Sequence, residues 1–117
     1  MPRLPRKGVP MDLNLVVLDG RLAAPPEIRR FEQGGRLARY LITVRSEEPR
    51  RRVDVVPVVL WDPPDDLLDA EPAPGMPVWV SGAVQRRFWS GPEGRRSRLE
   101  VVADQVCLRS EGPVEEG

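Results

Sequence analysis

The chain has 117 residues, enough for one domain with a buried core but too few for two. Its 18 basic and 18 acidic side chains give zero formal net charge, so attraction to an anionic partner must come from local patches. The sequence has no histidine and one cysteine, which excludes a disulfide framework, a Cys/His zinc site and Cys-His or Ser-His-Asp catalysis. We expect neither a metal ion nor a cofactor.

The two ends of the chain differ in composition from its middle. Residues 1–10 are basic and proline-rich without the apolar stretch of a signal peptide, and no run approaches membrane-spanning length. We therefore expect a cytoplasmic protein, nucleoid-associated if it binds DNA. The predicted organisation is a flexible arm over residues 1–10, one domain over 11–110, and a disordered acidic tail over 111–117, which is too polar to fold.

The first two predicted strands lie on either side of a glycine turn. Leu13–Ala23 is rich in β-branched and apolar residues and should bend at Gly20. Residues 33–35, Gln-Gly-Gly, indicate a turn, and residues 37–45 then alternate with the two-residue period of a half-buried strand. The residues of this second strand expected to face the core are Tyr40, Ile42 and Val44.

Three further strands and one short helix follow. A third strand over residues 53–61 contains Pro57, which cannot donate a ladder hydrogen bond and so needs a bulge or an unpaired edge. Residues 62–70 offer acidic caps and a proline start, which predict one or two helical turns plugging a barrel end. The fourth and fifth strands, residues 78–89 and 95–108, flank a turn.

This order of elements predicts an all-β fold. Five strands, a bent first strand and one short helix between strands three and four are what a five-stranded Greek-key barrel of the OB type requires. A sandwich with a similar number of strands fits the pattern as well.

Several segments resemble the bacterial single-stranded DNA-binding proteins. Residues 18–30 and 34–38 are similar to the family pattern G-x-L-x-x-x-P-E-x-R followed by a glycine turn, and residues 58–61 to its V-V-x-aromatic strand. Further similar segments are residues 75–82 (G-x-x-V-x-V-x-G), 87–89 and 100–104. The resemblance spans about residues 11–110 and implies an OB barrel, binding of single-stranded DNA and a homotetramer assembled from dimers.

The chain also departs from that family. Glu48 and Val55 stand where family members usually carry stacking tryptophans, whereas Trp61 and Trp89 match family stacking positions. Stacking is worth about 1–3 kcal/mol per base, so two missing platforms would weaken binding. Residues 115–117 lack the hydrophobic tip of the family's long acidic tail, its hook for repair and replication partners.

Charge is segregated along the sequence. The last two strands and their hairpin are rich in arginine, whereas residues 62–71 hold five acids and no base. Binding a single strand requires cations along the phosphates and flat side chains that accept any base. The predicted nucleic-acid-binding residues are Trp89, Trp61, Phe88, Phe31, Arg86, Arg87, Arg95, Arg96, Arg98, Arg36, Arg39 and Arg45.

Structural interpretations compete with these assignments. Trp61 ends an apolar strand, where core or subunit packing is as reasonable as stacking on a base. Phe31 could fold back onto the barrel, and the arginines could form a solvated hairpin rim. We interpret Trp79 and Tyr40 as structural and Cys107 as a buried, inert thiol.

Two functions are consistent with the sequence. The first is binding of single-stranded DNA without sequence specificity, in replication, recombination or repair, by a dimer or tetramer. The second is an OB-fold protein-interaction module or accessory paralogue with weak DNA binding, which would co-assemble with a fully equipped family member. Scattered carboxylates are the only support for an enzyme, so we do not expect catalysis.

Overall fold

The computed structural model describes residues 12–109. The predicted arm, residues 1–10, and the predicted tail, residues 111–117, lie outside the described residues. The elements in chain order are β1 (Val16–Leu22), β2 (Glu27–Arg30), β3 (Arg36–Ser46), β4 (Arg52–Trp61), α1 (Asp65–Asp69), β5 (Pro77–Gly91) and β6 (Gly94–Leu108).

The strands form one sheet that closes on itself. Its order is β1-β5-β6-β4-β3-β2, and an additional pairing of β1 with β3 completes the ring. β1 pairs with β5 over Val16–Arg21 and with β3 over Arg21–Leu22, so the strand at one end of the sheet closes the barrel by pairing with β3. A sandwich needs two separate sheets. The predicted all-β barrel is confirmed.

The barrel interior is filled by alternate residues of the strands. Tyr40, Ile42, Val58, Val78 and Val80 are almost fully buried in one apolar cluster. The second predicted strand, now β3, therefore has the orientation expected from its alternation. Val44, the third residue expected to face the core, is partly buried and packs against the cluster. Burial raises the pKa of Tyr40 because the charged phenolate would lose its hydration.

A close approach of two backbones fixes the path of β1. A Cβ atom on Gly20 would lie 2.2 Å from the carbonyl oxygen of Thr43 in β3, so only glycine fits there. The predicted bend in this strand corresponds to the point where β1 passes from β5 to β3. Pro57 pairs with Leu41 of β3 and comes just before the two residues of β4 that pair with β6. On the side away from β3, Pro57 is therefore paired with no other strand among residues 12–109, as its missing N–H requires.

The structure adds a strand that the sequence did not predict. β2 pairs with β3 as a short hairpin across a turn whose Gly34 and Gly35 have φ angles of 89° and 93°. The amide of Phe31 donates to the carbonyl of Gly35 and closes that turn. The sheet therefore has six strands, with the segment before Phe31 in a strand rather than a loop.

The short helix forms as predicted, but its acids do not cap it. The N-cap position is Pro64, with no side-chain capping hydrogen bond. Asp62 instead accepts a hydrogen bond from the Arg36 amide, and Asp65 pairs with the Arg36 guanidinium at 3.2 Å. Leu67 packs against the core and plugs the barrel end. No helix among the described residues is long and apolar enough to cross a membrane.

The interpretation of Cys107 as a buried thiol was wrong. Its thiol is half-buried, opposite Trp79 in the ladder between β5 and β6. The neighbouring Val106 faces the core, and the two-residue period therefore turns Cys107 outward.

Candidate nucleic-acid interface

The hairpin of β5 and β6 presents two different faces. Its ladder continues to Gly91 opposite Gly94, and successive side chains alternate between the faces. Adjacent residues such as Phe88 and Trp89 must therefore point in opposite directions. One face carries Arg87, Trp89, Arg96 and Arg98, and the other carries Arg86, Phe88 and Arg95. The single basic surface expected from the sequence is thus two surfaces.

Arg39 is the centre of the candidate site. It lies on the outer face of β3 and lines three adjoining cavities of about 390, 320 and 270 Å³. The surface formed by these three cavities is called the Arg39 groove below. It combines arginines from β2, β3, β5 and β6 with aromatic side chains, and its candidate functional side chains are Glu27, Arg29, Phe31, Arg39, Trp61, Arg86, Arg87, Trp89, Arg98 and Glu100.

Phe31 and Trp61 form an aromatic wall at one end of this groove. Their ring centroids lie 5.8 Å apart with an interplanar angle of 20°, a stacked arrangement. Phe31 is brought there by the β2–β3 hairpin, and Trp61 lies opposite Leu37 at the end of β4. Trp61 remains 55% exposed, so it is not a core residue and can contact a further flat group. Phe31 has folded onto Trp61.

Trp89 occupies the other end of the groove among positive charges. Its indole is 38% exposed and shares a cavity with Arg39, Arg87 and Arg98. Guanidinium groups around an exposed indole provide both a surface for a base and donors for the adjacent phosphates.

Two acids, Glu100 and Glu27, partly balance these arginines. Glu100 is only 8% exposed, and its carboxylate lies 3.8 Å from the Arg98 guanidinium. Burial lowers the pKa of Arg39, and the charges of Arg87 and Arg29 act in the same direction, whereas the charges of Glu100 and Glu27 oppose them. The Nε of Arg39 and Oε2 of Glu100 are buried and have no hydrogen-bond partner among residues 12–109. The groove therefore retains positive charge and unused polar atoms.

Of the remaining predicted site residues, Arg86 also lines a cavity of the groove, whereas the others lie away from it. Arg36 pairs with Asp65 beside the short helix, and Arg96 pairs with Glu93 at the hairpin turn. Arg45 lines a separate cavity near β1. On the second hairpin face, the Arg95 guanidinium lies 4.6 Å from the centroid of the Phe88 ring, and Arg86 donates to Ser97.

Sequence reasoning missed three charged members of the groove, Arg29, Glu27 and Glu100. Arg29 is two residues before Phe31, so an extended chain places both on one side, and this spacing was an available signal. Glu100 shares the outer face of β6 with Arg98, but nothing in its local sequence indicates burial.

A closed five- to six-stranded barrel with a basic and aromatic groove is the architecture of an OB-fold binding protein. Residues 13–108 match the model of the single-strand binding protein family, and the chain therefore belongs to that family. This confirms the resemblance found in the sequence.

Individual relatives and one solved structure agree with this assignment. The chain is 34% identical over 99 residues to a single-stranded DNA-binding protein of Oceanobacillus iheyensis, covering 80% of this chain and 62% of that protein. It is 31% identical over 99 residues to one from Clostridium tetani, covering 80% and 68%. Its alignment thus spans less than two thirds of the first of these relatives. The fold is similar to the Plasmodium falciparum SSB in its complex with ssDNA, with a TM-score of 0.70 and 22% identity, covering 84% of this chain and 94% of that one.

Proposed function

We propose that this chain binds single-stranded DNA without sequence specificity, in replication, recombination or repair, and catalyses no reaction. The observation that carries this proposal is the Arg39 groove, in which Trp61 and Trp89 lie exposed among arginines. Every base has a flat face that can stack on an indole, so this recognition is tolerant of sequence. Arginines neutralise the phosphates, which makes the affinity sensitive to salt.

The groove favours a single strand over a duplex. Stacking on Trp61 or Trp89 requires a base whose face is accessible, and bases within a duplex are already stacked on each other. The relatives from Oceanobacillus iheyensis and Clostridium tetani are named single-stranded DNA-binding proteins, which supports this choice of ligand.

We also propose that the chain forms a homo-oligomer, a dimer or tetramer, through the outer surface of β1 and β5. Leu13 and Leu15, just before β1, and Val17 within it are between 45% and 57% exposed, and Trp79, opposite Asp19 on β5, is half-buried. Exposed apolar patches of this kind mark interfaces. Sedimentation of the wild type should give a multiple of the chain mass, and Val17→Asp should lower it. A monomeric wild type would contradict this proposal.

A second candidate function is that of an accessory OB-fold module with weak DNA binding. It is favoured by an exposed apolar surface on β3 and β4, where Leu41, Val53 and Val55 are 44%, 56% and 55% exposed. A tryptophan at the position of Val55 would provide a stacking platform, whereas valine does not. Such a module would co-assemble with another family member, and co-expression followed by sedimentation would detect the mixed oligomer.

The first experiment is a titration of the purified protein with oligo-dT and with duplex DNA, followed by tryptophan fluorescence at low and moderate salt. We expect quenching by the single strand that weakens with salt and is much reduced in Trp89→Ala. Trp79→Phe is the matched control, because this tryptophan lines none of the three cavities of the groove and the substitution keeps an aromatic ring. If neither nucleic acid changes fluorescence or electrophoretic mobility, DNA binding is refuted and the accessory role takes its place.

A further inference from the structure

A second basic cavity lies apart from the Arg39 groove, where β1 passes from β5 to β3. It has a volume of about 480 Å³, larger than each cavity of the groove. No aromatic side chain of residues 12–109 lines it. Its lining residues are Asp19, Gly20, Arg21, Thr43, Arg45, Pro77 and Arg109.

Two of its three arginines are held in place by hydrogen bonds. Arg109 donates to the Asp19 carboxylate at 3.0 Å, while its own amide bonds to the Pro77 carbonyl at 2.9 Å. Arg21 donates from Nη1 to the Gly75 carbonyl at 2.8 Å. The single carboxylate of the lining is already paired with Arg109, and no carboxylate among residues 12–109 pairs with Arg45, so the cavity keeps a positive charge at Arg45. Arginines positioned in advance lose less conformational entropy when they bind an oxyanion.

The floor of the cavity is backbone rather than side chain. Gly20 allows β1 to approach β3 so closely that a Cβ atom would lie 2.2 Å from the Thr43 carbonyl oxygen. The Thr43 hydroxyl donates to the Arg21 carbonyl at 3.2 Å and ties the two strands together. The cavity therefore lies on a rigid part of the barrel, where β1 pairs with β3.

We propose that this cavity binds a phosphodiester group of a nucleic-acid strand that leaves the Arg39 groove. Arg39 and Arg45 share the outer face of β3 and are separated by six residues, or roughly 20 Å of extended strand. A single strand running along β3 would pass from one arginine to the other. Guanidinium groups are the side chains best suited to bidentate phosphate contacts. The inference rests on the proposed function and extends its binding path.

The test compares Arg45→Ala with wild type on short and long oligo-dT. Lengths of about 5 and about 16 nucleotides bracket the site sizes of OB folds, so only the long strand should reach beyond the groove. Losing one charged contact should weaken the long complex about tenfold and leave the short one within about twofold. The slope of log K against log salt should fall by about 0.7 for the long strand.

Arg51→Ala is the matched control, since it removes the same charge from the exposed β3–β4 loop and lines none of the four cavities. Equal affinities of Arg45→Ala and wild type for the long strand would overturn the inference while leaving the proposed function intact. An equal loss for both lengths would also overturn it. A wild type that binds neither length would refute both.

Inorganic phosphate provides a second arm that separates a free anion from a strand. Titrated alone, it should shift the amide resonances of Gly20 and Thr43 in wild type and not in Arg45→Ala. If phosphate shifts them but Arg45→Ala keeps full affinity for the long strand, the cavity binds free anions and its assignment to the nucleic-acid strand is wrong.

Discussion

The contact between Phe31 and Trp61 can be measured by a double-mutant cycle. Their centroids are 5.8 Å apart and their planes 20° from parallel, and pairs of this geometry contribute about 0.5–1.5 kcal/mol beyond their buried area. Phe31 is 39% and Trp61 55% exposed, so each truncation removes only moderate burial. The coupling between the rings should therefore be a large part of what either substitution costs.

The assay is urea unfolding of wild type, Phe31→Ala, Trp61→Ala and the double variant. The double variant should lose about 0.5–1.5 kcal/mol less free energy of unfolding than the sum of the single losses. A parallel cycle of Phe88 with Trp61 is the control, because Phe88 lies on the second hairpin face under Arg95. Its effects should add within about 0.3–0.5 kcal/mol.

The same four proteins then report on the binding role. Trp61→Ala should weaken oligo-dT binding by about 1–3 kcal/mol, or about 5- to 150-fold, if its exposed face receives a base. Phe31→Ala should weaken it less, because the platform remains but loses its support. Additive stability effects would refute the stack. Intact coupling with unchanged affinity in Trp61→Ala would show that the wall is structural.

Three further predictions concern the barrel and its charges. Gly82→Ala should destabilise the fold by about 1–3 kcal/mol, because the new Cβ would lie 2.2 Å from a carbonyl oxygen of β6. Gly91→Ala should be tolerated, because its Cβ would lie 3.8 Å from the nearest atom, and thermal unfolding of the two variants tests the difference. Glu100→Gln should lower the free energy of unfolding in urea by about 1–3 kcal/mol, because it removes a buried counter-charge. Glu93→Gln, at an exposed ion pair, should lower it by less than about 1 kcal/mol, and equal losses in the two variants would contradict the prediction. Burial raises the pKa of Tyr40, so the folded state holds the phenolic proton more tightly than the unfolded state does. The free energy of unfolding should be constant below the unfolded pKa, near pH 10, and fall as the pH rises from there through the folded pKa. Tyr40→Phe should remove that decline in urea titrations at alkaline pH.

The long strands could be predicted from the sequence because each has one buried face. In β3 the alternation around Tyr40 and Ile42 sets both the element and its orientation. β2 could not be predicted in this way, since all four of its residues are exposed and show no alternation. Its pairing depends on the glycine turn that follows, whose left-handed backbone makes a tight hairpin possible.

The residue types of the candidate site were predictable, but its grouping was not. Trp61, Trp89 and Arg39 were selected as aromatic or basic residues, yet only the closed barrel brings three distant strands to one groove. The opposite orientations of Phe88 and Trp89 follow from adjacency on a strand and could have been used earlier. Glu100 is different, because its burial arises from surrounding arginines that lie far away in sequence.

The outer part of the β5–β6 hairpin bears on how this protein can evolve. None of residues 85–99 is buried, although the segment includes Trp89 and all five arginines of β5 and β6. Substitutions there leave the core around Tyr40 unchanged and are expected to cost little stability. Selection can therefore change the side chains of this segment almost independently of folding, and chimaeras that carry a homologue's hairpin should fold with nearly unchanged stability.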